Sequence, residues 1–245
     1  MRPSGGYNPH GVRRGPRTGY DFGNKRQYRR IVWKSFREGI LPLYYTLATA
    51  QCLLMPSSEG DEIEVALSQG FREYNLHVVD RDPDIVDSLK HRYRRINTYG
   101  VEVEEACRRI AAKGLRLSCA NLDLTGCMSD SMFECLRACI LSRSFHDQAM
   151  VAITMLRGRE QGLARAMVNA APTVTGGVRG FSPQDVVRIT TVYGALTREF
   201  YPTAEAWRQT DPEHSPARLT RTGYYKSVSG SQTMLYSIWR LVQPR

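Results

Sequence analysis

The chain has 245 residues, 42% of them apolar and 24% charged. That suits one sizeable globular domain with appendages and excludes collagen-like, coiled-coil and wholly disordered architectures. The formal charge is +10, from 34 Lys and Arg against 24 Asp and Glu, and no apolar run approaches the roughly 20 residues that a membrane span needs.

The charge is concentrated at the start of the chain. Residues 1–37 hold ten basic side chains and one acid, a net +9, which leaves +1 for residues 38–245. Residues 1–24 are rich in Gly, Pro, Arg, Asn and Tyr and nearly free of aliphatic side chains. Such a stretch cannot bury enough surface to offset its ordering entropy, so it is expected to be an arm with little structure of its own. Tyr7, Tyr20, Phe22 and Tyr28 interleave with the cations, and aromatic rings and guanidinium planes both stack on unpaired bases. A nucleic-acid-binding arm through Arg13, Arg14, Arg17, Lys25, Arg26, Arg29 and Arg30 is one reading. A solvated tail, or one packed on a partner protein, is the other. The arginines are not followed by an apolar stretch, so no secretory leader is expected.

From about Lys25 the pattern becomes helical, with Ile31, Val32, Ser35 and Phe36 on one face and Gly39 and Pro42 punctuating the end. This divides the chain into an arm (1–24), a helical segment (25–50) and an α/β domain (51–245). In that domain Cys52-Leu53-Leu54-Met55 reads as a buried strand, broken by Pro56-Ser57-Ser58-Glu59-Gly60. Ser58 is expected to cap a helix carrying Ile63, Ala66 and Leu67. Leu76 to Val79 is the second strand, followed by Asp80-Arg81-Asp82-Pro83, with Asp82 as N-cap and Pro83 at the first helical position. Ile85, Val86, Leu89 and Tyr93 line the next helix. A further helix spans about 101–113. Leu115 to Cys119 then forms the third strand, running into Asn121-Leu122-Asp123. Met132, Phe133, Leu136 and Ile140 mark another helix, and Ala149 to Leu156 the fourth, central strand. Past a Gly/Thr/Val loop at 172–180, Ser182-Pro183 opens a helix through Val186, Ile189, Tyr193 and Leu196. Gly223 to Val228 and Thr233 to Trp239 read as a closing hairpin.

Strands alternating with amphipathic helices predict a three-layer Rossmann-like α/β sandwich: a mostly parallel sheet closed by a C-terminal antiparallel β-hairpin. Ligands of such sheets bind beyond the carboxyl ends of the strands, where three polar clusters fall here: Ser57-Ser58-Glu59, Asp80-Arg81-Asp82 and Asn121-Leu122-Asp123. An acid ending the second strand commonly accepts hydrogen bonds from a ribose. A dinucleotide would also need a Gly-rich turn after the first strand. That turn has one glycine, Gly60, among the acids Glu59, Asp61 and Glu62, which repel a diphosphate and suit a cationic nucleoside.

In this order of motifs the chain resembles the class I S-adenosylmethionine-dependent methyltransferases over roughly residues 43–242. The resemblance implies S-adenosylmethionine as cofactor. Pro56, Ser57, Ser58, Glu59 and Gly60 would hold the methionine part, Asp80 the ribose, and Arg81 would flank the adenine. Asn121, Leu122 and Asp123 would meet the adenine edge. The family's E/D-x-G-x-G turn is reduced here to Gly60. Its N/D-P-P-Y/F motif, expected after the fourth strand, is replaced by Thr154-Met155-Leu156-Arg157-Gly158-Arg159-Glu160. These departures mark a divergent member of that family, and a viral one is the expectation.

In-line methyl transfer would draw mainly on alignment, with Arg157 and Glu160 as the candidate catalytic residues, Glu160 orienting or deprotonating the acceptor. Two functions remain open: a methyltransferase acting on nucleic acid, or an inactive methyltransferase fold serving as a nucleic-acid-binding or assembly component. Either is expected inside a cell or in a virion, away from membranes, its thiols reduced. Six cysteines without a CxxC, and His77, His91 and His146 without mutual spacing, give no metal site. The basic run Lys90, His91, Arg92, Arg94 and Arg95 reads as a solvated helix end or as further nucleic-acid surface. Trp207, Arg208 and Trp239 read as packing residues.

Overall fold

The computed structural model describes residues 24–40, 46–158, 160, 165, 182–200, 217–226 and 232–242. Arg13, Arg14 and Arg17, the three aromatic residues preceding them or Asn24, the 172–180 loop, Trp207 and Arg208 lie outside the described residues.

In chain order the elements are α1 (Asn24–Ile40), β1 (Gln51–Leu54), α2 (Asp61–Ser68), β2 (Leu76–Val79), α3 (Pro83–Arg92), β3 (Asn97–Tyr99), α4 (Val103–Ala112), β4 (Leu117–Cys127), α5 (Asp130–Leu141), β5 (Phe145–Leu156), α6 (Pro183–Phe200), β6 (Ala217–Lys226) and β7 (Thr233–Val242). The strands form one sheet in the order β3-β2-β1-β4-β5-β7-β6. The first five pair in parallel, whereas β7 runs antiparallel to both β5 and β6. The expected three-layer sandwich with its antiparallel close is therefore the observed fold.

Each face of the sheet has its own core. On one side α4, α5 and α6 contribute Val103, Ile110, Leu136, Cys139 and Leu196, packed on Leu53, Ala120, Val151 and Ile153. On the other side α1, α2 and α3 contribute Trp33, Phe36, Ile63 and Leu89, packed on Cys52, Leu54, Cys119, Met150 and Ala152. Alternate residues of β5 thus go to opposite cores. A strand covered on both faces reads as a continuous apolar run because neither face meets water.

Three expectations need correction. A short strand, Asn97–Tyr99, stands between the second and what was taken for the third, so Asn121 to Asp123 lie on the fourth strand and Ala149 to Leu156 on the fifth. Its three residues are polar or aromatic, and only Tyr99 is buried, so it shows neither an apolar run nor an alternation. Secondly, the helical segment is packed into the α/β core, where Val32, Trp33, Phe36 and Ile40 of α1 are fully buried against the sheet and α2. Thirdly, Ser58 does not cap α2. Gly60 is the N-cap, in the left-handed region at φ 71°, with no side-chain cap bond. A turn in which the Gly60 N–H donates to the Ser57 carbonyl (2.9 Å) delays the helix beyond the reach of Ser58. A Cβ at Gly60 would stand 3.0 Å from both Leu89 and Tyr93, so this position needs glycine for its φ and for close packing. The cap at Asp82 stands as read, its carboxylate accepting from the Asp84 N–H at 3.1 Å with Pro83 next in line.

Candidate functional site

Strand register brings the predicted clusters to one edge. Leu54 pairs with Val78 on one side and Asn121 on the other, and Asp123 pairs with Thr154. The segments carrying Glu59 and Asp80 therefore leave the carboxyl edge of the sheet, and Asp123 stands near that edge within β4, which runs on to Cys127. The two halves of this edge differ in construction.

The half over β1, β2 and β3 is a rim of turns. The Asp80 N–H donates to the Tyr99 carbonyl (3.2 Å), and its carboxylate accepts from the Asp82 N–H (3.0 Å). Arg81 pairs with Glu102, just past β3, at 3.3 Å. Glu59 is exposed and its carbonyl accepts from Arg92 (2.7 Å). Ser57 and Asp61 both meet Arg29 of α1, at 3.5 Å each. Beneath this rim His77 is fully buried between the Tyr99 hydroxyl (3.0 Å) and Gln51 (2.8 Å), and burial lowers its pKa to about 4. It is a core histidine.

The half over β4, β5 and the terminal strands is closed and charged. The Lys25 Nζ, on the first turn of α1, lies 2.9 Å from Asp123 Oδ2, with both side chains buried. Thr154 donates to Asp123 (2.6 Å), and Tyr225 donates to it at 3.4 Å. Burial opposes ionisation of Asp123, yet Lys25 with the Thr154 hydroxyl and Arg29 holds its carboxyl below the usual range. Tyr28 stacks on Tyr225 with ring centroids 4.4 Å apart and donates to Asn121 (2.7 Å). Burial, with Tyr225, Asp123 and Glu62 nearby, pushes the Tyr28 hydroxyl well above its ordinary pKa. Asn121 in turn donates to Glu62 (2.7 Å), which also accepts from the Trp33 indole N–H (3.2 Å). Burial raises the pKa of Glu62 against the pull of Arg29 and Asn121.

Lys25, Tyr28 and Arg29 are thus inward-facing members of this cluster. Arg29 is 1% exposed and Lys25 8%, so neither stands on an open surface along which an arm would grip a phosphate backbone, and the arm reading is corrected for those two. Arg26 and Arg30 on the same helix are exposed. The sequence held a signal for this. Continued toward the N-terminus at helical spacing, the apolar stripe Phe36, Trp33, Val32 runs through Arg29, Tyr28 and Lys25.

Arg157 and Glu160 lie past the end of β5 in a separate polar network. Arg188 pairs with Glu160 (2.5 Å) and Asp185 (2.6 Å). Arg157 pairs with Asp185 (2.9 Å) and lies over the Tyr224 ring (5.0 Å). Asp185 also accepts from Ser182 and Tyr224. A cavity of about 480 Å³ opens beside it, lined by Leu156, Arg157, Gln184, Arg188, Gln232 and Thr233 among others. The Glu160 carboxylate is thus engaged by Arg188 and by the Gly158 N–H (3.1 Å). Among the described residues no cluster of His, Cys, Asp and Glu could hold a metal ion, and no helix is long and apolar enough to cross a membrane. Cys52, Cys107, Cys119 and Cys139 are buried free thiols, and Cys135 is a half-buried one.

No protein-family model and no curated protein sequence matches the chain. Solved structures do match it. Trm5b from Pyrococcus abyssi aligns at TM-score 0.51 and 9% identity, over 92% of this chain and 51% of its own. A Streptococcus mutans protein assigned as a SAM-dependent methyltransferase aligns at 0.50 and 10%, over 90% and 50%. The N-methyltransferase NodS from Bradyrhizobium japonicum aligns at 0.47 and 11%, over 89% and 98%. The chain spans about half the length of the first two. The fold is that of the class I, Rossmann-like methyltransferases, and at these identities the likeness is one of fold.

Proposed function

We propose that the chain is an S-adenosylmethionine-dependent methyltransferase acting on nucleic acid, with the cofactor over β1–β3 and the acceptor over β4–β5. The observation that carries this reading is the buried Lys25–Asp123 pair on β4, the strand next to β1.

The donor set of the open half fits the cofactor. Ser57 and Ser58 offer hydroxyls, Glu59 offers a carboxylate to an ammonium, and Asp80 is placed for a ribose. Without a glycine-rich cradle and with acids in the first turn of α2, the same turn disfavours a diphosphate. When bound, the cofactor supplies a methyl group on a sulfonium. Register puts residues just past β3, Gly100 to Glu102, beside Asp80, so the adenine is assigned to that loop with Arg81. Asn121 and Asp123, one strand further on, move to the acceptor side. There the Lys25 ammonium would stabilise the negative charge that builds on an acceptor oxygen as its proton passes to water, while Asp123, Thr154 and Tyr225 fix the ammonium. Arg157 and the Glu160 network are assigned to shaping the acceptor side beyond β5.

The inactive-scaffold reading has one observation in its favour, the Arg29 guanidinium 3.5 Å from both Ser57 and Asp61 at the mouth of the β1 turn. Calorimetry separates the two. S-adenosylmethionine and its demethylated product are expected to bind the wild type, and Asp80→Ala is expected to weaken both at least tenfold. Lys25→Met should keep cofactor binding and lose methyl incorporation into RNA or DNA. Undetectable binding at millimolar cofactor would overturn the enzyme and leave the scaffold.

A further inference from the structure

The terminal strands carry a charge pattern that the crevice does not use. Residues 214–245 contain no Asp or Glu but include Arg218, Arg221, Lys226, Arg240 and Arg245. With the first 37 residues also basic, all the other acids fall within residues 38–213, which are net negative.

Register places three of these arginines together. Arg218 is the direct cross-strand partner of Arg240, and after a bulge between Leu219 and Arg221, Arg221 pairs with Ile238. Ile238, Tyr236 and Met234 all enter the core on the α1 side, so Arg240, two residues past Ile238, and its partners Arg218 and Arg221 share that side of the sheet. Arg218 and Arg221 are exposed. The Arg240 Nε is buried and has no hydrogen-bond partner, and none of the three makes an ion pair among the described residues. Like charges directly opposed across an antiparallel pair are destabilising, as is a buried donor left unmatched. Cations along a free edge do protect it from pairing with other strands, which accounts for Arg218 and Arg221 on β6. It does not account for Arg240, because β7 lies inside the sheet between β5 and β6.

We infer that Arg218, Arg221 and Arg240 form a phosphate-backbone site for the nucleic acid proposed above as substrate. The inference rests on that reading for its partner. Arg221 is two residue pairs from the row of Asp123, Thr154, Tyr236 and Gly223, and Arg218 and Arg240 stand four residues along from it on β5. At about 3.4 Å per residue, the three cations descend from roughly 7 to 14 Å below the crevice along the sheet edge. A strand whose acceptor nucleotide sits at Lys25 could lay its flanking phosphates along them. Planar guanidinium groups suit phosphate bidentately, and a phosphate between Arg218 and Arg240 would relieve their repulsion. An acidic peptide would share the charge but would also want the free β6 backbone, which the bulge interrupts.

The test is fluorescence polarisation of the full chain with a labelled single-stranded RNA of about 20 nucleotides, across roughly 50 to 200 mM salt. The triple variant Arg218→Ala, Arg221→Ala, Arg240→Ala is expected to weaken binding and to flatten the log–log salt slope by about 2, near 0.7 for each lost phosphate contact. The exposed pair Arg218→Ser with Arg221→Ser should give a drop of about 1.4, which keeps the test alive if the triple variant is unstable. Arg240→Met should leave the melting temperature unchanged or raise it. An unchanged slope in both variants would overturn the site, and so would competition by polyglutamate equal to that by unlabelled RNA. Calorimetry of S-adenosylmethionine on the same variants should show wild-type affinity. Failure of the RNA arm with cofactor binding intact removes the arginine site alone, whereas loss of cofactor binding by the wild type removes the enzyme reading.

Discussion

The two halves of the carboxyl edge hold their charges in opposite ways. Over β1, β2 and β3 the polar groups sit on short turns, partly exposed, and pair with neighbours a few residues away or on the next loop, such as Asp80 with the Asp82 N–H and Arg81 with Glu102. Over β4 and β5 the carboxylate of Asp123 is buried with a lysine, a threonine and a tyrosine drawn from three other elements. The first arrangement leaves hydrogen-bonding capacity at a rim, where a small ligand can take it up. The second is fixed before any ligand arrives, which suits a group whose task is to meet charge as it develops.

The sharpest way to break this contrast is to remove Asp123. Asp123→Ala leaves the Lys25 ammonium buried without its carboxylate, and a loss of about 3–5 kcal/mol in denaturant unfolding is expected. Lys25→Met together with Asp123→Leu should recover much of it. A loss below about 1 kcal/mol for Asp123→Ala would mean that the pair is open to water.

A smaller effect is expected from pH beneath the open half. His77 has its pKa lowered to about 4 by burial, against about 6.5 unfolded. Above pH 6.5 both states are neutral there. Between 6.5 and 4 the unfolded chain takes up a proton that the folded chain refuses, so stability falls with pH across this window and levels off below it. The total is on the order of 3 kcal/mol. Melting curves of His77→Gln should lack this segment of the pH dependence.

The smallest effect belongs to the rim itself. Arg81 and Glu102 are both substantially exposed, and Arg81→Ala should cost under about 1 kcal/mol in the same unfolding measurement. A cost as large as that of Asp123→Ala would erase the distinction between the halves.

Much of the fold was legible in the sequence because its signals are local. The apolar run of Cys52 to Leu54, the Asp82-Pro83 helix start and the stripe Ile85, Val86, Leu89 each lie within one element, and the structure keeps them. Asn97–Tyr99 was missed because a three-residue strand at the sheet edge buries only Tyr99 and leaves no period to detect. That one strand makes Asn121 and Asp123 part of the fourth strand rather than the third.

The sequence by itself determined the three-layer class, the edge at which polar residues collect and the acidic character of the turn after β1, since composition and short-range periodicity carry all three. Only the tertiary structure decided that Lys25 and Tyr28 turn inward, to Asp123 and Asn121. Tyr28 and Asn121 are 93 residues apart, and the helix that joins them is oriented by the burial of Trp33 and Phe36. Charge counted along a chain does not distinguish an arginine facing water from one facing a carboxylate. That choice follows from which face of α1 the sheet can dehydrate.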